Sequence, residues 1–194
     1  DERRHHGDSA IVSTSNIEQS IDGLLDRAIQ AINDGDRTTA AIFAEQVLAG
    51  ARDDAIEGVD VVVTDALSFA RGEADHTTLL EADGYVLGTS ANFGYMSGAL
   101  KHVFDSTFLQ IGGALDASGA GDPNAGGSTQ GRPFGLYVHG RYDRGGAVRS
   151  VLSITGALGW RQGYDVLEVL GDVGQTHLEA AYELGGTIAA LLTG

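Results

Sequence analysis

The sequence of 194 residues contains no cysteine and few basic residues. The absence of cysteine excludes disulfides, thiol catalysis and cysteine-based zinc or iron–sulfur sites. Only 12 basic residues stand against 27 acidic ones, which gives a formal net charge of −15. A surface of this sign repels nucleic acids and anionic membranes, so neither is expected as a partner. Flavins and other small molecules stay open, because backbone dipoles can bind an anion locally.

Several patterns that would indicate other functions are also missing. No apolar run approaches 18 residues and no apolar segment follows a basic start, so we expect no membrane insertion and a cytoplasmic location. Neither G-x-S-x-G nor G-x-x-x-x-G-K-[ST] occurs, which leaves a hydrolase elbow and a P-loop unsupported. No spacing of His, Asp and Glu is typical of a metal site, so no metal is predicted.

Short apolar runs alternate with helical patterns along most of the chain. The runs are nearly continuously apolar, which is typical of strands buried on both faces of a parallel sheet with helices on either side. The chain length suits one domain with a substantial core. The sequence therefore predicts a single α/β domain, 1–194, with a doubly wound five-stranded parallel sheet. The predicted strands lie near residues 10–14, 59–63, 84–88, 133–138 and 165–170.

Helical spacing of apolar residues predicts the elements between the strands. The predicted helices lie at about 17–32, 38–51, 76–81, 95–104, 147–158 and 177–192. Residues 1–37 therefore form an atypical, partly helical N-terminal segment. Residues 110–131 are rich in Gly, Ala, Ser and Asp, which predicts a long flexible surface loop, either mobile or a lid.

Ligands of doubly wound sheets bind at the carboxyl ends of the strands. The loop from Thr89 to Met96 offers aromatic faces and backbone donors, which a flavin ring needs, and Gly94 allows close backbone approach. The alternative is an ordinary strand-to-helix turn with Phe93 packed in the core. The candidate cofactor-binding residues here are Thr89, Ser90, Ala91, Asn92, Phe93, Gly94 and Met96.

A second loop, His139 to Gly146, also joins a strand to a helix. Its two final glycines leave backbone donors for an anion or a ring carbonyl. Arg141 and Arg144 either attract a nucleotide phosphate or pair with surface carboxylates. His139 is the catalytic candidate, which would hydrogen-bond a flavin or a quinone or supply a proton during reduction. The alternative is a satisfied histidine at a strand end. The candidate cofactor-binding residues are His139, Gly140, Tyr142, Gly145 and Gly146.

The run from Gly84 to Lys101, GYVLGTSANFGYMSGALK, resembles the flavodoxin-like NAD(P)H-dependent oxidoreductases. It is similar to their FMN-reductase and WrbA-type quinone-reductase group, which carries G-[ST]-P-x-x-[FY]-G-x-M-[SA]-x-x-[LM]-[KR] at this place. This chain has Ser90 in place of the usual proline and otherwise follows the pattern closely. The strand and loop around His139 and the final strand and helix follow in the same order, so the resemblance covers roughly residues 38–194.

This resemblance implies a flavodoxin-like fold and non-covalently bound FMN. It also implies two-electron transfer from NADH or NADPH to a quinone or similar small-molecule acceptor. Residues 89–96 would contact the isoalloxazine ring, and residues 139–146 would contact its other side. Family members often form dimers or tetramers that complete the flavin site, so a homo-oligomer is expected.

The FMN phosphate of the resembling family lies in a Ser/Thr-rich loop after strand one, and two registers compete for it here. In the first, residues 10–14 are strand one and Ser13, Ser15 and Asn16 belong to the loop, which is similar to S-x-T-G-N-T-E without its glycine. In the second, Thr38-Thr39 ends the loop, because the following helix and strand then have the usual spacing. The first is favoured, since the sheet needs its central strand.

Two other functions stay open. A flavin-free, flavodoxin-like interaction module would explain the irregular first 37 residues. An electron-transfer flavodoxin would use the acidic surface to dock a redox partner.

Overall fold

Seven strands form one sheet in the computed structural model, which describes residues 10–14, 39–122 and 124–194. The strands are β1 (Ala10–Thr14), β2 (Val61–Asp65), β3 (Tyr85–Asn92), β4 (Tyr95–Met96), β5 (Pro133–Gly140), β6 (Arg161–Gln162) and β7 (Leu167–Leu170). The order is β2-β1-β3-β5, with β6 and β7 both pairing with the outer side of β5. The predicted strands are therefore present, with β4 and β6 in addition.

Most of the sheet is parallel. β3, β5, β6 and β7 run in one direction, and β2 shares it because β2 and β3 are both antiparallel to β1. The predicted α/β class with a parallel-dominated sheet is confirmed. We call the end of the sheet where β2, β3, β5 and β7 finish the carboxyl edge, and the opposite end the amino edge.

The direction of β1 differs from the prediction of a wholly parallel sheet. Ser13 pairs with Tyr85, the first residue of β3, so β1 finishes at the amino edge. A short β-branched run identifies a strand, but its backbone can satisfy its hydrogen bonds in either direction. The pattern in residues 10–14 therefore located the strand without fixing its polarity.

Helices cover both faces of the sheet. They are α1 (Thr39–Ala51), α2 (Ala66–Arg71), α3 (His76–Leu80), α4 (Gly98–Thr107), α5 (Gly145–Ala157) and α6 (Gln175–Thr193). One hydrophobic core cluster packs α1 and α6 against one face of the sheet. A second cluster packs the four helices α2, α3, α4 and α5 against the other face. The sequence analysis predicted no helix where α2 lies. Asp65 caps α2 by accepting a hydrogen bond from the Leu67 amide at 3.0 Å. No described helix is long and apolar enough to cross a membrane.

Glycines allow α1 and α6 to pack at very short range. A Cβ on Gly185 would lie 2.0 Å from the Val47 carbonyl oxygen, and one on Gly50 would lie 1.9 Å from the Tyr182 carbonyl oxygen. Both distances are far below van der Waals contact, and both involve backbone atoms that cannot rotate away. Side chains at these two positions would therefore force the helices apart.

The Gly185→Ala variant is expected to lower the free energy of unfolding by about 2 kcal/mol, because overpacking a core against fixed backbone costs about 1–3 kcal/mol. Chemical denaturation measures the change. Gly156→Ala is the matched control, since Gly156 also lies in a helix but a Cβ there meets nothing within 4 Å. The control should gain up to about 1 kcal/mol from helix propensity. Equal effects of the two substitutions would contradict the close crossing.

The long segment before β5 lies at the amino edge. Trp160 donates its indole N–H to Thr129 Oγ1 at 2.8 Å, and Thr129 Oγ1 donates to the Ile111 carbonyl at 2.9 Å. Arg132 Nη1 donates to the carbonyls of Leu79 and Leu80, each at 2.9 Å. The segment 110–131 therefore sits opposite the carboxyl edge and is not a lid over it. Its flexibility stays a prediction.

Candidate functional site

The two predicted loops meet at the carboxyl edge. Ser90 and His139 are paired residues of β3 and β5. Beyond them, a Cβ on Gly94 would lie 2.8 Å from Asp143 Oδ2, and one on Gly146 would lie 2.3 Å from the Gly94 carbonyl oxygen. The structure therefore brings residues 89–96 and 139–146 together, as the sequence analysis expected.

The first loop, Thr89 to Met96, is a β-hairpin rather than an irregular connection between a strand and a helix. β3 continues to Asn92, and β4 returns beside it through a two-residue turn. Phe93 and Gly94 both have positive φ, 52° and 76°. Two positive values are typical of the type I′ turn that matches strand twist. Gly94 was the available signal, but a phenylalanine before it concealed the turn, since Asn or Asp is usual there.

Phe93 is held in an unfavourable conformation with its ring in solvent. Left-handed backbone is rare for a bulky residue and costs about 1–3 kcal/mol. The ring gains nothing in return from the described residues, because the side chain is fully exposed. The alternative that Phe93 packs in the core is therefore wrong. Strain of this kind clusters at functional sites.

Two tyrosines extend the exposed aromatic surface around Phe93. Tyr95 follows it in the hairpin and is 44% exposed, and Tyr142, beside Asp143, is 90% exposed. Because Asp143 reaches Gly94, Phe93 and Tyr142 flank the same contact between the two loops. Large exposed aromatic rings gathered at one place mark a binding surface more often than a solvated one.

Two of the predicted site residues, Thr89 and Met96, are buried and make structural contacts within the protein. Thr89 is buried, and its hydroxyl accepts the Ser97 amide at 2.9 Å while donating to the Ser90 carbonyl. Met96 is buried in the core beneath the hairpin. Ser97, which the sequence analysis missed, caps α4 by accepting the Leu100 amide at 3.2 Å. These contacts fix the hairpin to the start of α4.

His139 uses one ring nitrogen for structure. Its Nε2 lies 2.7 Å from the Gly171 carbonyl oxygen and therefore donates to it. In the neutral ring this leaves Nδ1 as an acceptor, and no described residue bonds it. The alternative that His139 is a hydrogen-bonded histidine at a strand end is therefore correct for Nε2. Nδ1 stays available to a ligand.

The two arginines of the second loop pair with carboxylates. Arg144 Nε lies 3.2 Å from Glu168, and Arg141 lies 3.5 Å from Asp172 in an exposed pair. The structure thus favours the surface-pairing alternative over a free phosphate site. Asp143, which the sequence analysis missed, accepts the Gly145 amide at 2.8 Å and fixes the start of α5. An Asp two residues before a helix was the available signal.

Comparison with known proteins identifies the architecture. No family model and no curated protein matches the chain. A WrbA-like flavodoxin protein from Agrobacterium tumefaciens matches 78% of this chain and 88% of its own, with 17% identity and a TM-score of 0.53. A flavodoxin from the domain Archaea matches 79% and 90%, with 18% identity and a TM-score of 0.59. The fold is flavodoxin-like.

A larger solved structure is also similar to this chain over part of its length. The Flv1 flavodiiron core from Synechocystis matches 80% of this chain but only 32% of its own, with 14% identity and a TM-score of 0.53. At these identities the likeness establishes the fold.

The predicted phosphate loop is not brought to this site by the described residues. Ser13 lies at the amino edge of the flavodoxin-like sheet, opposite Phe93 and His139, because β1 runs antiparallel. Ser15 and Asn16 lie outside the described residues. The second register, in which Thr38-Thr39 ends the phosphate loop, is compatible with the direction of α1. This helix ends beside the start of β2, because Arg52 donates to the Val61 carbonyl at 3.1 Å. The amino end of α1 is therefore directed towards the carboxyl edge.

The described residues fit a planar aromatic ligand at this edge of the flavodoxin-like domain. The Ser90 hydroxyl is buried without a partner, and the Phe93 ring is exposed in strained backbone. Glycines at 94 and 146 let the two loops approach each other at a distance that side chains would prevent. Among the described residues, no group of three or more His, Asp or Glu side chains could hold a metal ion.

Proposed function

We propose that the protein is an FMN-dependent NAD(P)H oxidoreductase that passes two electrons to a quinone or similar small acceptor. The observation that carries the proposal is Phe93, a strained and fully exposed ring beside the second loop at the carboxyl edge. The WrbA-like and flavodoxin structures support it, because they share the fold. The motif between Gly84 and Lys101 adds the resemblance to NAD(P)H-dependent oxidoreductases.

The residues of the two loops would hold the ring and exclude water from it. Phe93 and Tyr142 supply faces for stacking, and the Gly146 amide in the first turn of α5 favours a partly negative carbonyl oxygen. The Gly145 amide already donates to Asp143. His139 Nδ1 accepts a hydrogen bond in the neutral ring and can hold a proton when the ring is charged. The chemistry that FMN supplies when bound is two-electron transfer from NADH or NADPH to the acceptor.

The test is a titration of the purified protein with FMN, followed by visible absorbance and flavin fluorescence. Quenching and a shifted flavin spectrum at micromolar FMN are expected. The loaded protein should then consume NADH or NADPH in the presence of a small quinone without a partner protein. No spectral change at micromolar FMN would overturn the proposal and favour the flavin-free interaction module.

An electron-transfer flavodoxin is the second candidate. The net charge of −15 and the flavodoxins from Archaea and Streptococcus pneumonia among the similar structures favour it. An acidic surface steers a basic redox partner towards it. FMN binding without steady NAD(P)H consumption would favour this candidate over the oxidoreductase.

We also propose a homo-oligomer that covers the exposed aromatic rings at the carboxyl edge. Phe93 and Tyr142 would then be contacts between copies as well as ligand contacts. Sedimentation equilibrium tests the proposal, and a monomer at every concentration would contradict it. Tyr142→Ser should shift the equilibrium towards monomer if the ring lies in the interface.

A further inference from the structure

Ser90 carries a buried hydroxyl that has no hydrogen-bond partner among the described residues. It is the only buried side-chain polar atom of this kind in the described ranges. Buried polar groups are almost always paired in native proteins, and an orphan loses its hydration without compensation. An isolated exception at the rim of a ligand site therefore needs an explanation.

The hydroxyls around Ser90 show that the local structure can satisfy such groups. Thr89, the preceding residue, both donates and accepts, and Ser97 caps α4. Ser90 alone in this stretch has been left with its donor unused. Nothing in the packing of the hairpin requires a hydroxyl there, since alanine has almost the same shape without the polar atom.

Ser90 lies at the carboxyl edge, where the proposed flavin site is located. Ser90 is paired with His139 across the parallel ladder, so the two side chains share one face of the sheet. The same face carries Gly88, whose missing side chain makes room for the Tyr137 ring. Burial raises the pKa of the Tyr137 hydroxyl, which packs against Gly88.

We propose that the Ser90 hydroxyl donates a hydrogen bond to an acceptor atom of the bound flavin, and this inference rests on the proposed function. The resembling oxidoreductases have a proline at this place, which has no donor. Ser90 is then a positioning residue by which this chain adds a polar contact to its cofactor. The hydroxyl is unpaired in the apoprotein and paired in the complex.

The Ser90→Ala variant tests this inference, because the stability of the apoprotein should rise while its affinity for FMN should fall. Removing an orphaned hydroxyl should raise the Tm of the apoprotein by about 2–4 °C. Removing the contact to the flavin should raise the Kd for FMN about tenfold. The control is Ser106→Ala, because the Ser106 hydroxyl already donates to the His102 carbonyl at 2.8 Å within α4. The Kd of the control should not change.

The outcomes separate this inference from the proposed function. An unchanged Kd for Ser90→Ala overturns the inference while FMN binding by the wild-type protein still supports the proposed function. A lower Tm of the apo variant also overturns it, because the hydroxyl would then have a structural partner. If the wild-type protein binds no FMN, both fail.

Discussion

Replacing Phe93 with asparagine is expected to stabilise the ligand-free protein and to weaken the proposed FMN binding about thirtyfold. Phe93→Asn creates an Asn-Gly pair, the preferred sequence for a type I′ turn, and removes left-handed strain that costs about 1 kcal/mol or more. The same change removes a ring that would stack on the flavin. Loss of one stacking face is worth about 2 kcal/mol, or roughly thirtyfold in Kd.

Denaturant unfolding and FMN titration together measure the two effects. Leu115→Ser is the matched control, because Leu115 is an exposed apolar residue in the segment at the amino edge. It removes apolar surface without touching the candidate site, so its Kd for FMN should equal that of the wild-type protein. A stabilised Phe93→Asn variant with unchanged affinity would show that the exposed ring does not contact the flavin.

The location of the site could be predicted from the sequence because strand ends are easy to find. Apolar runs at 84–88 and 133–138 identified two parallel strands, and the carboxyl ends of neighbouring parallel strands meet at one edge. That argument placed Phe93 and His139 together, and the pairing of Ser90 with His139 agrees. It needed only the existence of the strands and their direction.

The details that the sequence did not predict depend on long-range contacts. The polarity of β1 depends on how the chain reaches and leaves it, which a five-residue pattern does not record. The β3–β4 hairpin depends on Phe93 adopting left-handed backbone, which a phenylalanine rarely does. The partners of Arg141 and Arg144 come from residues 168 and 172, beyond a whole helix. In each case tertiary context overrides the local signal.

The second large effect is expected at Gly146, the glycine on which the contact between the two loops depends. In Gly146→Ala the new Cβ would lie 2.3 Å from the Gly94 carbonyl oxygen, so the start of α5 and the hairpin must separate. A displacement of about 1 Å at a site that positions reactants can cost about a hundredfold in rate. For the proposed NAD(P)H-driven quinone reduction, we expect kcat/KM to fall by about that factor.

The neighbouring glycine provides the control for this prediction. A Cβ on Gly145 would lie 3.3 Å from Asp143 Oδ1, which is the end of a side chain that can shift. Alanine at this position also keeps the backbone amide that donates a hydrogen bond to Asp143. Gly145→Ala should therefore keep kcat/KM within about threefold, a difference of less than about 1 kcal/mol. The two variants each add one methyl group at neighbouring positions, and they differ only in whether the hairpin has to move. Equal losses in both variants would contradict the prediction, because a methyl group at Gly145 leaves the contact with the hairpin in place.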